Sequence, residues 1–291
     1  MAAYTLPEGF NDFDMFAFGT ALLVEGLLGF FLNSIAALSF LLVREQRTPS
    51  NFLVFNLNIA DLMLNVNGLI AAYASYMRVW PFGQEGCINH GFEGLISIYA
   101  AITLIALISW DKYHYYCTNQ PLFWATSGTM CVMVWVFAIF WASFPLPSFG
   151  WGEFDFEPMK TCCTLDYTKG DRNYITYMLT ISVFYFVFPM MMMQSSYSTI
   201  YAYFKKTHKY RFNTTIPVRT LLLTWGPYVA MCMYACVENA KLVSPKLRMV
   251  LPVLAKTSPI FNAILYSFGN EAYRGGIWRF LTGQKVVDKR K

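Results

Sequence analysis

Long apolar runs separated by short charged stretches set the pattern of the chain. Residues 16–43 hold one ionisable side chain, Glu25, and residues 51–77 hold one, Asp61. Residues 94–110 hold none, and that run extends back through Glu93 and His90 to Cys87. Residues 121–152, 174–204 and 220–237 are uncharged throughout, and 249–270 are interrupted only by Lys256. About 20 consecutive apolar residues are what a helix needs to cross a bilayer with every backbone N–H and C=O satisfied inside the segment. The pattern predicts an all-α membrane protein. It is a single domain over 1–291, a seven-transmembrane helix bundle with spans at about 16–43, 51–77, 88–112, 121–146, 174–204, 216–238 and 248–269. A short amphipathic segment and tail, 270–291, follow.

Composition narrows the class. Of 291 residues, 56% are hydrophobic and 13% charged, about half the charged share of a soluble domain. That is too little charge to cover a soluble globule, and 26 Phe, 19 Tyr and 8 Trp are far too many for a disordered chain. The net charge of +5 is one-sided. With seven spans, fourteen of the 22 Lys and Arg face one side, seven face the other, and Lys256 lies in the last span. Positive charge is retained in the cytosol during insertion, so the N-terminus is outside or lumenal and the C-terminus cytoplasmic. The asymmetry removes the need for nucleic acid as a partner. The cluster Lys205, Lys206, Lys209 and Arg211 suits anionic membrane lipid instead. The first fifteen residues carry no Lys or Arg, so no cleavable leader is predicted and the first span directs insertion. The sequon Asn213-Thr214-Thr215 falls in a cytosolic loop, where it stays unmodified.

Seven cysteines leave at least one outside any intramolecular pair. Cys117, Cys131, Cys232 and Cys236 read as small packing residues in or beside spans. Cys87 opens the third span, and Cys162 and Cys163 lie in the long loop after the fourth. A bridge from Cys87 to either would pin that loop as a lid over the bundle mouth, and an oxidising exterior or lumen permits it.

Ionisable residues inside spans are costly and mark pathways, sites or partners. Asp61 stands among Asn56, Asn58, Asn65 and Asn67, beside Asn33 of the first span, which suggests a hydrated polar network or an ion site. Glu25 and Glu93 lie nearer the outer third, where a neutral, hydrogen-bonded structural role is the simpler reading. Lys256 is farther from either end than its stem can snorkel. A desolvated amine favours its neutral form, whose lone pair can attack a carbonyl and form a Schiff base. The alternative is a salt bridge to Glu25, Asp61 or Glu93. No metal is called for.

Laid along the seven spans, Asn33, the run Asn56 to Asp61, Cys87, Asp111-Lys112-Tyr113, Pro189, Tyr197, the run Trp225 to Tyr228, Lys256 and the run Asn262 to Tyr266 make the chain similar to the opsin branch of rhodopsin-like G-protein-coupled receptors over essentially its whole length. Asn33 falls at the family's first-helix Asn, and Asn56-Leu57-Asn58-Ile59-Ala60-Asp61 matches its NLxxAD pattern. Cys87 matches the third-helix cysteine, and Asp111-Lys112-Tyr113 the D/E-R-Y motif with Lys for Arg. Pro189 and Tyr197 match the fifth helix, and Trp225-Gly226-Pro227-Tyr228 the sixth-helix WxPY. Lys256 lands on the retinal-binding lysine, and Asn262-Ala263-Ile264-Leu265-Tyr266 on NPxxY without its proline. The tail has Thr282 as its only hydroxyl residue after Tyr273, and no Cys. With the Gly150-Trp151-Gly152, Cys162 to Tyr167 and Lys169 to Asn173 runs, these departures resemble the retinochrome-like opsins of pigment epithelium and Müller glia.

The resemblance implies a chromophore, all-trans-retinal, held as a Schiff base on Lys256 and photoisomerised to the 11-cis form for the visual cycle. A light-sensing receptor or a non-catalytic retinoid-binding protein are the alternatives. It implies weak or no G-protein coupling, a retinol dehydrogenase as a partner, and intracellular (endoplasmic reticulum) membranes of pigment epithelium and Müller cells. A protonated Schiff base needs an anion. Where many visual opsins place a third-helix Glu, three residues after the cysteine, this chain has His90, which cannot be negative. The family's alternative, a lid Glu six residues before the loop cysteine, maps onto Glu157 if Cys87 pairs with Cys163. Pairing with Cys162 would shift that register. Glu93, one turn below His90, is a second candidate, and His90 is a candidate proton relay. Together, spacing and resemblance assign Trp225, Tyr228, Gly94 and Ile98 to the polyene. They assign Ile181, Tyr185 and Phe186 to its ring end, Tyr167 to the lid, and Asn33, Asp61 and Asn262 to the polar network.

Overall fold

The computed structural model describes residues 6–207 and 216–284. The sequon, Lys209, Arg211 and the four basic residues of the extreme C-terminus lie outside the described residues. Helix α1, Asp12–Leu42, starts where Asn11 and Asp14 cap each other, each side chain accepting the other's backbone N–H at 2.9 Å. Helix α2, Pro49–Met77, starts with proline in its first turn behind Thr48, whose hydroxyl accepts from Asn51 N, and stops at Arg78 in the left-handed region, φ 59°. Helix α3, Gly83–Tyr113, runs on through a wide turn, His114–Thr118, and α4 is Trp124–Ser143.

The loop after α4 is more ordered than the sequence suggests. Strands β1, Phe154–Phe156, and β2, Cys163–Leu165, pair antiparallel, with Phe154 opposite Leu165 and Phe156 opposite Cys163. The fifth span is α5, Arg172–Ser182, a wide turn Val183–Val187, and α6, Phe188–Lys206. Helix α7, Ile216–Tyr234, forms the sixth span.

The seventh span departs from the continuous helix expected over 248–269. It is α8, Pro245–Lys256, then α9, Ser258–Asn262, then a wide turn, Ala263–Phe268. Pro259 is the cause, since its ring has no N–H to donate and crowds the carbonyl four residues back. The chain tightens there, Thr257 N donating to Leu254 O at 3.2 Å and Ile260 N to Thr257 O at 3.1 Å. Lys256 therefore sits at a break in the helix. The amphipathic helix α10, Glu271–Thr282, follows.

Among the described residues, six helical segments are long and apolar enough to cross a membrane. Helix α7 is less apolar because it carries Arg219 and two prolines. Exposed apolar side chains such as Phe31, Leu42, Val132 and Leu223 cover the outside of the bundle, the inverse of a soluble surface and right for contact with lipid. Helix α3 runs through the middle of the bundle, with 72% of its apolar window buried, against 28% for α1 and α4. Helices α1 and α2 touch backbone to side chain: a Cβ on Gly29 would stand 2.3 Å from Asn65 Oδ1, and one on Gly26 2.7 Å from Leu69.

Candidate functional site

The lid is fastened to the bundle at four points. A disulfide joins Cys87, at the head of α3, to Cys163 of β2, leaving Cys162 as a buried free thiol. The His90 ring lies between Cys163 O, 3.1 Å from Nδ1, and Asn67 O, 3.2 Å from Nε2. Ser75 of α2 donates to Thr161 Oγ1 at 3.1 Å, and the Thr164 and Tyr228 hydroxyls pair at 3.1 Å. Gly91 carries no side chain because β1 is pressed against it, a Cβ there falling 2.5 Å from the Phe154 ring.

Under this lid is a cavity of ≈ 40 Å³, room for a few water molecules. Lys256 lines it, as do His90, Gly94 and Ile98 of α3, Trp225 and Tyr228 of α7, and Glu157, Cys162 and Cys163 of the lid. Lys256 Nζ donates to Asn67 Oδ1 at 3.0 Å. Asn67 Nδ2 in turn donates to Glu93 Oε2 at 2.7 Å and to His90 O at 2.9 Å. Glu25 of α1, Glu93 and Glu157 are each close enough to Lys256 to feel its charge.

Glu157 is 3% exposed although it belongs to a loop. The lid turn holds it, with Glu157 N donating to Cys162 O and Lys160 N to Glu157 O. Burial pushes its carboxyl up from 4.5 to about 7, against the hydrogen bond from Tyr167 and the charges of Lys256 and Arg248. Tyr167 donates to Glu157 Oε2 at 3.1 Å. Burial also raises the Cys162 thiol, which keeps it a neutral wall of the cavity.

Four residues expected in the pocket stand elsewhere. Tyr167 lies behind Glu157, and Ile181, Tyr185 and Phe186 are not in the cavity lining. Tyr185, within the wide turn Val183–Val187, stacks flat on Tyr99 with centroids 4.0 Å apart. Tyr99 and Tyr177 share a hydroxyl contact at 3.2 Å, so aromatic side chains fill the space toward the fifth span. Gly94 faces the amide of Asn67, whose Nδ2 would be 3.4 Å from a Cβ there, an ordinary contact distance.

The polar network runs below the cavity. Asn262 Nδ2 donates to Asp61 Oδ1 at 3.0 Å, and Asn33 Nδ2 to Gly29 O and Pro259 O at 2.9 and 3.2 Å. Farther toward the cytosolic end, Asp111 accepts from Ser50 at 3.1 Å, and Lys112 Nζ stands 5.1 Å from the centroid of the Tyr266 ring. Asn67 as the partner of Lys256, Arg248 as a second cation acting on Glu157, and Pro259 as the break beside the lysine are roles not expected from the sequence. The proline was readable; the rotation that turns Asn67 toward Lys256 was not.

Residues 32–266 match the model of the 7 transmembrane receptor (rhodopsin family), and the chain belongs to that family. It is a multi-pass membrane protein of the receptor-bundle class, and the resemblance to the opsin branch is borne out by its relatives. It is 44% identical over 280 residues to the human RPE-retinal G protein-coupled receptor, covering 96% of both chains. To the human visual pigment-like receptor peropsin it is 25% identical, over 88% of this chain and 81% of that one. Its fold superposes on the crystal structure of squid rhodopsin with a TM-score of 0.85 at 24% identity, covering 97% of this chain and 90% of that one.

Proposed function

We propose that the chain is a retinal-binding opsin that holds all-trans-retinal through a Schiff base on Lys256 and turns it over to the 11-cis isomer in light. The observation that carries the reading is the placement of Lys256. A single amine lines the cavity under the lid at a helix break, held by Asn67, with Glu25, Glu93 and Glu157 near enough to feel its charge and aromatic rings of α7 beside it. That donor set fits an aldehyde-bearing polyene: an amine to attach it, carboxylates to balance a positive nitrogen, and Trp225 and Tyr228 to flank a planar chain.

Retinal, when bound, supplies the light absorption and the double bond that turns. The protein's residues supply attachment, charge and shape. Lys256 anchors; Glu157, with Glu93 as the alternative, provides the negative charge; His90, in the cavity wall, is the candidate proton relay; Trp225, Tyr228, Gly94 and Ile98 bound the space. Asn33, Asp61 and Asn262 form the polar network beneath. Retinol dehydrogenase as supplier or consumer of retinal, and residence in endoplasmic reticulum membranes of pigment epithelium and Müller cells, belong to the same proposal.

A second reading, a light-sensing receptor that activates a G protein, draws on Asp111, Tyr113, Tyr197 and Tyr266. Against strong coupling stands the replacement of the motif Arg by Lys112, which packs on Tyr266. The deciding experiment loads the purified protein with all-trans-retinal, illuminates it and separates the extracted isomers beside Lys256→Ala. Light-dependent 11-cis-retinal that vanishes in the variant supports the isomerase. Conversion of 11-cis to all-trans only, with nucleotide exchange rising on a G protein, makes it a signalling opsin.

A further inference from the structure

The amide of Asn67 has every hydrogen-bonding group committed. Its oxygen accepts from Lys256 Nζ at 3.0 Å, and its nitrogen donates to Glu93 Oε2 at 2.7 Å and to His90 O at 2.9 Å. An amide has two N–H donors and an acceptor oxygen, so this orientation is fixed from three sides. Flipping it would turn the oxygen onto a carboxylate and a carbonyl, and the NH2 onto an ammonium. The amide therefore presents its oxygen to Lys256 and carries a carboxylate on its far side.

We infer that Asn67 is a positioning residue that relays the charge of Glu93 to the nitrogen of Lys256. An anion on the N–H side of an amide draws the group's dipole into line and makes its oxygen a stronger acceptor, as chains of hydrogen bonds in low dielectric polarise one another. Glu93 then stabilises positive charge on that nitrogen without touching it, and Asn67 holds the N–H direction. The inference rests on Lys256 as the attachment amine.

Other groups face the same nitrogen: Glu25 from α1, His90 from α3, and Glu157 and Cys162 from the lid, with Arg248 of α8 acting on Glu157. The test must isolate Glu93 from these. In the retinal-free full-length protein, Lys256 is methylated reductively with formaldehyde across a pH series and quantified by peptide mass spectrometry. Labelling follows the neutral amine. Glu93→Gln, which preserves the hydrogen bond and removes the charge, should lower the midpoint pH by about one unit, a tenfold change in proton affinity. Asn67→Leu should lower it similarly, and the double variant by clearly less than the sum of the two, because both act on one path beside the direct field of Glu93. Asn67→Asp should move it upward, a sign reversal that general loosening of the site does not produce.

The same variants are then loaded with all-trans-retinal and titrated, reading the pH at which the visible band is lost. Midpoints unmoved by Glu93→Gln, or shifts that add in the double variant, overturn the relay while leaving Lys256 as the attachment site. A visible band that persists in Lys256→Ala overturns the attachment itself, whatever the labelling gives.

Discussion

The imidazole of His90 is suspended between two backbone carbonyls on different elements, with Nδ1 3.1 Å from that of Cys163 in the lid and Nε2 3.2 Å from that of Asn67 in α2. Cys163 N also approaches Nδ1, at 3.4 Å. A neutral ring has one N–H and one acceptor nitrogen, so either tautomer ties the lid to the bundle. His90→Phe keeps a ring and removes both nitrogens. It should cost about 1–3 kcal/mol, the penalty for stranding buried backbone groups, and speed amide exchange over 157–165. A melting midpoint and exchange pattern like those of the parent would refute this role.

Cys87 and Cys163 form the disulfide, and Cys117, Cys131, Cys162, Cys232 and Cys236 are free. Alkylation of the denatured, unreduced protein should therefore add five groups to the seven-cysteine chain. Cys162→Ala should lower the count to four and leave thermal stability nearly unchanged. Cys163→Ala, by opening a long cross-linked loop, should destabilise by about 2–5 kcal/mol. Loss of the bridge in Cys162→Ala instead would mean the lid pairs in the other register.

Glu157 makes stability depend on pH with a definite sign. Its carboxyl ionises near 4.5 in an unfolded chain and is raised by burial to about 7 in the fold. Between those values the folded state holds a proton that the unfolded state has lost, so stability falls as pH rises from about 4.5 through about 7, then levels. Glu157→Gln should flatten that decline in thermal midpoints of the retinal-free protein. A slope identical in parent and variant would place the titrating group elsewhere.

The contact of Gly29 with Asn65 predicts a suppressible defect. A methyl on Gly29 would collide with the amide of Asn65, so either that side chain or the helix carrying it must give way. Gly29→Ala should destabilise by about 1–3 kcal/mol, as overpacking does. Asn65→Ala in the same chain should recover most of the loss, measured by thermal unfolding of the single and double variants. Additive losses would show that the crowding lies with another neighbour.

Each feature is legible in the sequence only as far as its physical cause is local to the chain. The spans are legible because charge is excluded from hydrocarbon, and Lys256 is legible because it breaks that exclusion. The Cys162 and Cys163 ambiguity, by contrast, turns on one residue of strand register, which the hairpin fixes by placing Cys163 opposite Phe156. The partnership of Lys256 and Asn67 depends on the rotation of α2 about its axis, and no spacing along either helix encodes that. Tyr185 and Phe186 lie within the wide turn Val183–Val187, where the spacing of a regular helix does not hold, while Ile181 lies before it in α5.

The wide turn of the seventh span, Ala263–Phe268, stands where the family motif has its proline. Asn262 and Ser267 both reach the same face of α2, at Asp61 and Asn58, each at 3.0 Å. Five residues apart on a regular α-helix they would point about 140° away from each other. The extra residue per turn, closed by Gly269 N donating to Ile264 O at 2.7 Å, brings them back into phase. The helix thus meshes with α2 like a rack cut at a five-residue pitch. A single-residue deletion within 263–268 would leave it helical and apolar yet throw one tooth out of engagement.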